Sequence, residues 1–271
     1  MALIDIFHRR KIQRYGWRPD DLDHDRDQHF EWFFHEAVRF PPIFSLRSKQ
    51  PDIWNQGNLG SCVGHGVARV FQMQRRAQQL TPDWAPSRLA IYYWARVFDG
   101  TEDIDAGAQI RNGIKAIARF GAPPEEEWPY APDKFSVSPD DDCMAKASLN
   151  QALRYYRVQQ TATWIKTCLM QGFGVVYGFN VYPQFESDAA AATGIIEMPR
   201  RLATPIGGHC QVIVGWDDTK QANGVTGYWE SANSWGSSWG DEGFNWTPQA
   251  YFTNTRLSSD FWTVQLVETG A

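Results

Sequence analysis

The apolar residues of this chain change their period partway along, and that change narrows the possible folds more than any other feature. From Cys62 onward, Val63, Val67, Val70 and Phe71 recur with an i, i+4, i+7, i+8 spacing, the stripe of a buried helix. Ile110, Ile114 and Ile117 repeat the pattern over Ala108 to Phe120, with Gly121 placed to act as a C-cap. A third helix is expected from Ser148 to Tyr156. Beyond Val175 the pattern differs. Val175–Phe179, Gln211–Trp216 and Gly227–Glu230 are short apolar runs bounded by Gly, Asp and Asn, which is the pattern of strands. Helices followed by strands, with no internal repeat, indicate an α+β fold.

Composition sets the outer limits. The 271 residues suffice for one large domain or two lobes. A net charge of −5 supplies no electrostatic attraction to nucleic acid or to an anionic membrane, so neither is expected as a partner. No stretch approaches the roughly 18 uncharged apolar residues of a spanning helix. The opening Met-Ala-Leu-Ile-Asp-Ile-Phe-His-Arg-Arg makes a poor signal peptide, so a cytoplasmic protein is expected. The cysteines, Cys62, Cys143, Cys168 and Cys210, match no zinc spacing, and no metal or cofactor is called for. Oligomeric state is left open by the sequence.

Cys62 is where chemistry is expected. A thiolate profits from a helix N-terminus and from a neighbouring imidazolium. Gly60 and Ser61 are small residues that would let a substrate approach. A thiol nucleophile also needs a base, a group that orients the base, and donors for the oxyanion. His209 lies 209 − 62 = 147 residues downstream and Asn233 lies 233 − 62 = 171 residues downstream. His65, one helical turn beyond Cys62, has no orienting residue in a comparable motif and is read as packing. With Cys62 as nucleophile three thiols remain, an odd number for a disulfide framework, and a reducing compartment is the simpler reading.

At this point four segments in order resemble the papain-like peptidase family. Gln56-Gly57-Asn58-Leu59-Gly60-Ser61-Cys62 is similar to its nucleophile segment. Gly207-Gly208-His209, followed by Val212-Ile213-Val214-Gly215, resembles its histidine strand. Asn233-Ser234-Trp235-Gly236-Ser237-Ser238-Trp239-Gly240 resembles its asparagine segment, and Gly121 through Trp128-Pro129-Tyr130 its connecting run. The likeness covers roughly residues 41–267 and looks closest to bacterial or phage members. Two positions depart from the family pattern: Leu59 stands where many members have a disulfide cysteine, and Val63 where they have an aromatic residue.

The resemblance implies a helical lobe over about residues 55–150, a β-rich, barrel-like lobe over about 160–267, and a cleft between them. It implies a peptide or protein substrate, Cys62 as nucleophile, His209 as base, Asn233 as its orienter and Gln56 as an oxyanion donor. It places Gly107, Ala108, Ile110, Gly178, Gly208, Cys210 and Trp235 around the substrate. Because Ile110, Gly178 and Cys210 are uncharged, the specificity pocket is expected to be open and apolar, unless the segment Glu186–Arg201 covers it. An isopeptidase or acyltransferase acting on a protein conjugate, or a silent binding module of the same fold, remain alternatives.

Residues 1–40 are expected to form a charged arm, set off from a catalytic domain of residues 41–271 by Pro41-Pro42. About 40 residues are too few for the family's classical helical pro-region, so none is expected here. The arm's run Arg18-Pro19-Asp20-Asp21-Leu22-Asp23-His24-Asp25-Arg26-Asp27 reads as solvated. Trp17 and Phe30 are apolar anchors that a solvated tail would not need. The arm is therefore expected to pack on the domain, as a brace along the back in preference to an inhibitory segment across the cleft.

Overall fold

The computed structural model describes residues 15–20, 27–36 and 39–269. Seven helices occur among them: α1 (Cys62–Ala77), α2 (Arg88–Val97), α3 (Ile110–Arg119), α4 (Asp141–Ser148), α5 (Ala162–Met170), α6 (Asp188–Thr193) and α7 (Gln249–Phe252). The strands are β1 (Ile43–Ser45), β2 (Ala152–Arg157), β3 (Val175–Val181), β4 (Gly207–Ala222), β5 (Val225–Ala232), β6 (Phe244–Pro248) and β7 (Ser258–Val267). They form one sheet of order β2-β7-β3-β4-β5-β6, with β1 added to β4. Every pairing within it is antiparallel.

α1 is buried along nearly its whole length because it is clasped from both sides. A Cβ on Gly64 would come within 2.5 Å of the Arg88 carbonyl oxygen of α2, and one on Gly66 within 2.8 Å of Cys210 Sγ of β4. The two glycines thus let the α2 backbone close on one face of α1 and side chains of β3 and β4 on another, which fixes Cys62 at the junction of the helical and β-rich lobes. A second connection ties the lobes together. Asn55 bridges Trp235, the Gln56 N–H donates to the Ser234 carbonyl oxygen at 2.9 Å, and the Gly236 N–H donates to that of Trp54 at 3.0 Å.

The expected helices at Cys62 and near Ile110 are present, as are the three expected strands. The helix expected over Ser148–Tyr156 is not. The chain there ends α4 at Ser148 and then forms β2, paired with β7 from Ala152↔Val267 to Arg157↔Trp262. Asp140 caps α4 by accepting from the Cys143 N–H, which starts the helix earlier, and the aromatic pair Tyr155-Tyr156 suits a sheet. No helix among the described residues is long and apolar enough to cross a membrane.

Candidate active site

Cys62 is the first residue of α1, where backbone N–H groups have no intrahelical partner. The nearby backbone N–H groups of Gly16, Cys210, Val63 and Cys62 itself favour the thiolate. Complete burial works the other way and dominates, pushing the thiol up to about 12. The loop before it is fastened by Asp105, whose carboxylate accepts from the Gly60 N–H at 3.1 Å and from the Tyr92 hydroxyl at 2.5 Å.

His209 lies on β4 and meets Asn233 just past the end of β5, with Nε2 and Oδ1 2.8 Å apart. The Ser234 N–H also donates to that Oδ1, at 2.8 Å, which identifies the atom as the amide oxygen. His209 Nε2 is therefore the donor, and Nδ1 carries the lone pair of the neutral ring. Nδ1 is buried and has no hydrogen-bond partner among the described residues, as a general base awaiting a proton would be. Burial lowers the imidazole to about 4, with the Asn233 hydrogen bond opposing. Trp235 covers the pair, its ring 4.8 Å from that of His209, and Phe179 and Phe185 wall the other sides.

Gln56 is fully buried beside this centre. Its Nε2 donates to the Leu59 carbonyl oxygen at 2.9 Å and its Oε1 accepts from the Ser234 hydroxyl at 2.7 Å, so the amide is held in place with a second N–H to spare. His65 packs as expected. Its Nδ1 lies 3.0 Å from the Ser61 carbonyl oxygen, its ring meets Tyr130 edge-on at 4.8 Å, and burial holds it far below the usual imidazole range.

The remaining expected residues gather around the arm. The Ala108 N–H donates to the Gly16 carbonyl oxygen at 2.7 Å and the Arg18 N–H to the Ala108 carbonyl oxygen at 3.0 Å. From the other lobe the Gly208 carbonyl oxygen accepts the Trp17 N–H at 3.0 Å. The arm is thus a strand stitched between both walls of the cleft, with Tyr15 edge-on to His209 at 6.2 Å. A Cβ on Gly178 would fall 1.9 Å from Trp17 Cε2, and one on Gly107 would fall 2.3 Å from the Gly16 carbonyl oxygen. Ile110 opens α3 and is fully buried. Cys210 turns its sulfur toward Gly66 of α1.

Three expectations need correction. The described arm residues 15–20 cross the cleft, whereas only the later part braces the back: His29 bridges Arg157 of β2, and the buried Phe30 stacks on Phe34 at 4.3 Å. The acidic run is not simply solvated, since the partly buried Asp20 and the buried Asp27 form ion pairs with Arg111 of α3 and Arg157 of β2. Residues 21–26 of that run lie outside the described residues. The pocket is not wholly uncharged either. Trp17 Nε1 donates to the buried Asp260 carboxylate at 3.1 Å. The segment after Glu186 packs elsewhere, Ile195 bridging Trp246 and Ala191 accepting from Gly240. Asp260, Asp105 and Tyr15 escaped the sequence reading because no motif contains them; Trp17 stood out only as an anchor.

A profile of the papain family of cysteine proteases matches residues 40–259. The chain is 36% identical over 221 residues to an uncharacterized peptidase C1-like protein of Acanthamoeba polyphaga mimivirus, covering 79% of this chain and 69% of that protein. Among solved structures it is similar to xylellain, a cysteine protease from Xylella fastidiosa, with TM-score 0.84 and 32% identity over 97% of this chain and 100% of that one. The cysteine protease and lectin-like domains of Cwp84 from Clostridium difficile share the fold at TM-score 0.69 and 18% identity, over 86% of this chain and 53% of that one. With its cleft, thiol and histidine–asparagine pair so arranged, the chain belongs to the papain family of cysteine proteases.

Proposed function

We propose that this is a latent peptidase in which Cys62 attacks a peptide carbonyl, His209 serves as its base and Asn233 holds that base. In the uncovered enzyme water returns to the cleft, the imidazole regains basicity, and His209 Nδ1 takes the Cys62 proton to form an ion pair. Sulfur attack then opens the carbonyl to a tetrahedral oxyanion. The Cys62 N–H and the spare N–H of Gln56 receive that charge, each donor worth about 3 kcal/mol by analogy with other acyl-transfer sites. His209 passes its proton to the leaving amine, and water attacking the thioester returns the enzyme to its start. Gly107, Ala108, Gly178, Gly208 and Trp235 shape the channel for the extended substrate.

Residues 1–40 act as the arm and 41–271 as the catalytic domain. The arm blocks by lying between both walls, its backbone bonded to Ala108 on one side and to Gly208 on the other. That strapping is the observation that carries latency. A reducing, cytoplasmic setting is supported by Leu59 and by four separate thiols, and a bacterial or viral kinship by the xylellain and mimivirus relatives.

The test is hydrolysis of a denatured protein by three full-length forms. Trp17→Ala should cleave faster than the parent, and Trp17→Ala combined with Cys62→Ala should not cleave at all. Equal rates for the parent and Trp17→Ala would remove latency. Cleavage that survives loss of Cys62 would remove the nucleophile.

A further inference from the structure

The arm shows what the specificity pocket accepts. Trp17 lies flat on bare backbone, because a Cβ at Gly178 would meet its Cε2 at 1.9 Å and one at Gly208 its Cε3 at 2.8 Å. At the far end the indole N–H reaches Asp260 Oδ2 at 3.1 Å, an oxygen that also accepts the Asp20 N–H. Asp260 is 3% exposed, and its other oxygen lies 3.5 Å from Arg157 Nη1. Arg157 in turn stacks over Trp262 at 4.6 Å and shares Asp20 and Asp27 with Arg111.

Four kinds of side chain can be compared in this space once the arm has left. An acidic one would face the Asp260 carboxylate. A purely apolar one would fill the volume but leave a buried carboxylate oxygen without a donor, and sites built around a polar group reject ligands that leave it unpaired. A cationic one would have to share Asp260 with Arg157 and would sit near Arg111, after Asp20 and Asp27 had departed with the arm. A neutral aromatic bearing an N–H or O–H satisfies the oxygen and adds no charge.

Resting on the reading of this cleft as a peptidase site, we infer that Asp260 makes the pocket selective for neutral, hydrogen-bond-donating aromatic side chains, tryptophan ahead of tyrosine. Asp260 is the residue that determines this specificity. It stands at the start of β7, outside every motif that located the catalytic residues.

The experiment uses the full-length protein in two ways. First, the arm serves as the ligand: Trp17→Tyr and Trp17→Phe are compared with the parent by the rate at which iodoacetamide alkylates Cys62, followed by peptide-mapping mass spectrometry. Trp17→Phe should accelerate alkylation about tenfold or more, as loss of a hydrogen bond to a charged group does. Trp17→Tyr should accelerate it less. In an Asp260→Leu background the Trp and Phe arms should become equal. Should that variant fail to fold by circular dichroism, Asp260→Asn should still shrink the gap. Second, peptidyl fluoromethyl ketones bearing Trp, Tyr, Phe or Arg as the second residue from the electrophile should inactivate in the order Trp, Tyr, Phe, Arg. A Phe arm as protective as Trp, or an Arg inhibitor that reacts fastest, would overturn the inference. The arm series needs no turnover. Its order holding in a protein that hydrolyses nothing would remove the peptidase reading and keep the pocket. A flat order in an active peptidase would remove the pocket alone.

Discussion

Trp17 and Gly178 are packed so closely that the indole occupies the space a side chain at 178 would need, with 1.9 Å between Trp17 Cε2 and an added Cβ. Gly178 lies on β3 in register with Cys210 of β4, so the strand itself cannot move aside.

Gly178→Ala should therefore expel the arm without disturbing the sheet. Overpacking of this kind costs about 1–3 kcal/mol. If that cost falls on the arm, alkylation of Cys62 should speed up by ~5- to 100-fold. The measurement is iodoacetamide labelling with the melting temperature recorded alongside. An unchanged labelling rate in a folded variant would mean that Trp17 does not occupy the cleft in solution.

Asp27 supplies a second, independent handle on the arm. Its carboxylate accepts from Arg111 Nη2 at 2.8 Å and from Arg157 Nε at 2.8 Å, with all three side chains buried. Removing one member of such a group costs about 3–5 kcal/mol, an upper bound here because the arm can leave and admit water. Asp27→Asn should lower the melting temperature and raise Cys62 labelling. When combined with Gly178→Ala, the labelling increase should be less than the product of the two, since both changes empty the same cleft.

These relationships also mark where sequence reasoning stops. The candidate site was legible because short motifs carry it: Cys62, His209, Asn233 and Gln56 each lie in a run whose neighbours build the local turn or strand. The Cys62 helix was legible from its apolar period. The strand β2 was not, because Ala152–Arg157 is fixed by pairing with β7 more than a hundred residues away, and local spacing there suits a helix equally well. Asp260 was invisible for the same reason. Nothing near it in sequence says that a left-handed residue at the head of β7 will face Trp17 of the arm. The course of the arm depended on cross-lobe partners, Ala108 on one side and Gly208 on the other, and a brace could not be told from a strap without them.

The pH dependence of Cys62 should report directly on whether the cleft is covered. Under the arm, burial pushes the thiol up to about 12 and brings His209 down to about 4, so at pH 7 both groups are neutral and no ion pair forms. With such a thiol only about one molecule in a hundred thousand is thiolate at pH 7. Alkylation of the parent protein should then climb steadily with pH through pH 9. Uncovering the cleft rehydrates both groups, which lowers the thiol and raises the imidazole. Gly178→Ala should accordingly show a rate that has levelled off by neutral pH. A parent protein that already levels off there would contradict a covered resting state.

The most direct measurement is labelling of the Trp17→Ala protein by an epoxysuccinyl peptide, with adduct sites mapped by mass spectrometry. Two further variants in the same background, His209→Ala and His65→Ala, complete the comparison. The geometry predicts a single adduct on Cys62, lost with His209 and retained without His65, since His209 Nε2 donates to Asn233 while His65 is spent on Ser61 and Tyr130. Labelling spread equally over Cys143, Cys168 and Cys210, or a Cys62 adduct that persists without His209 and disappears without His65, would contradict the assignment of nucleophile and base.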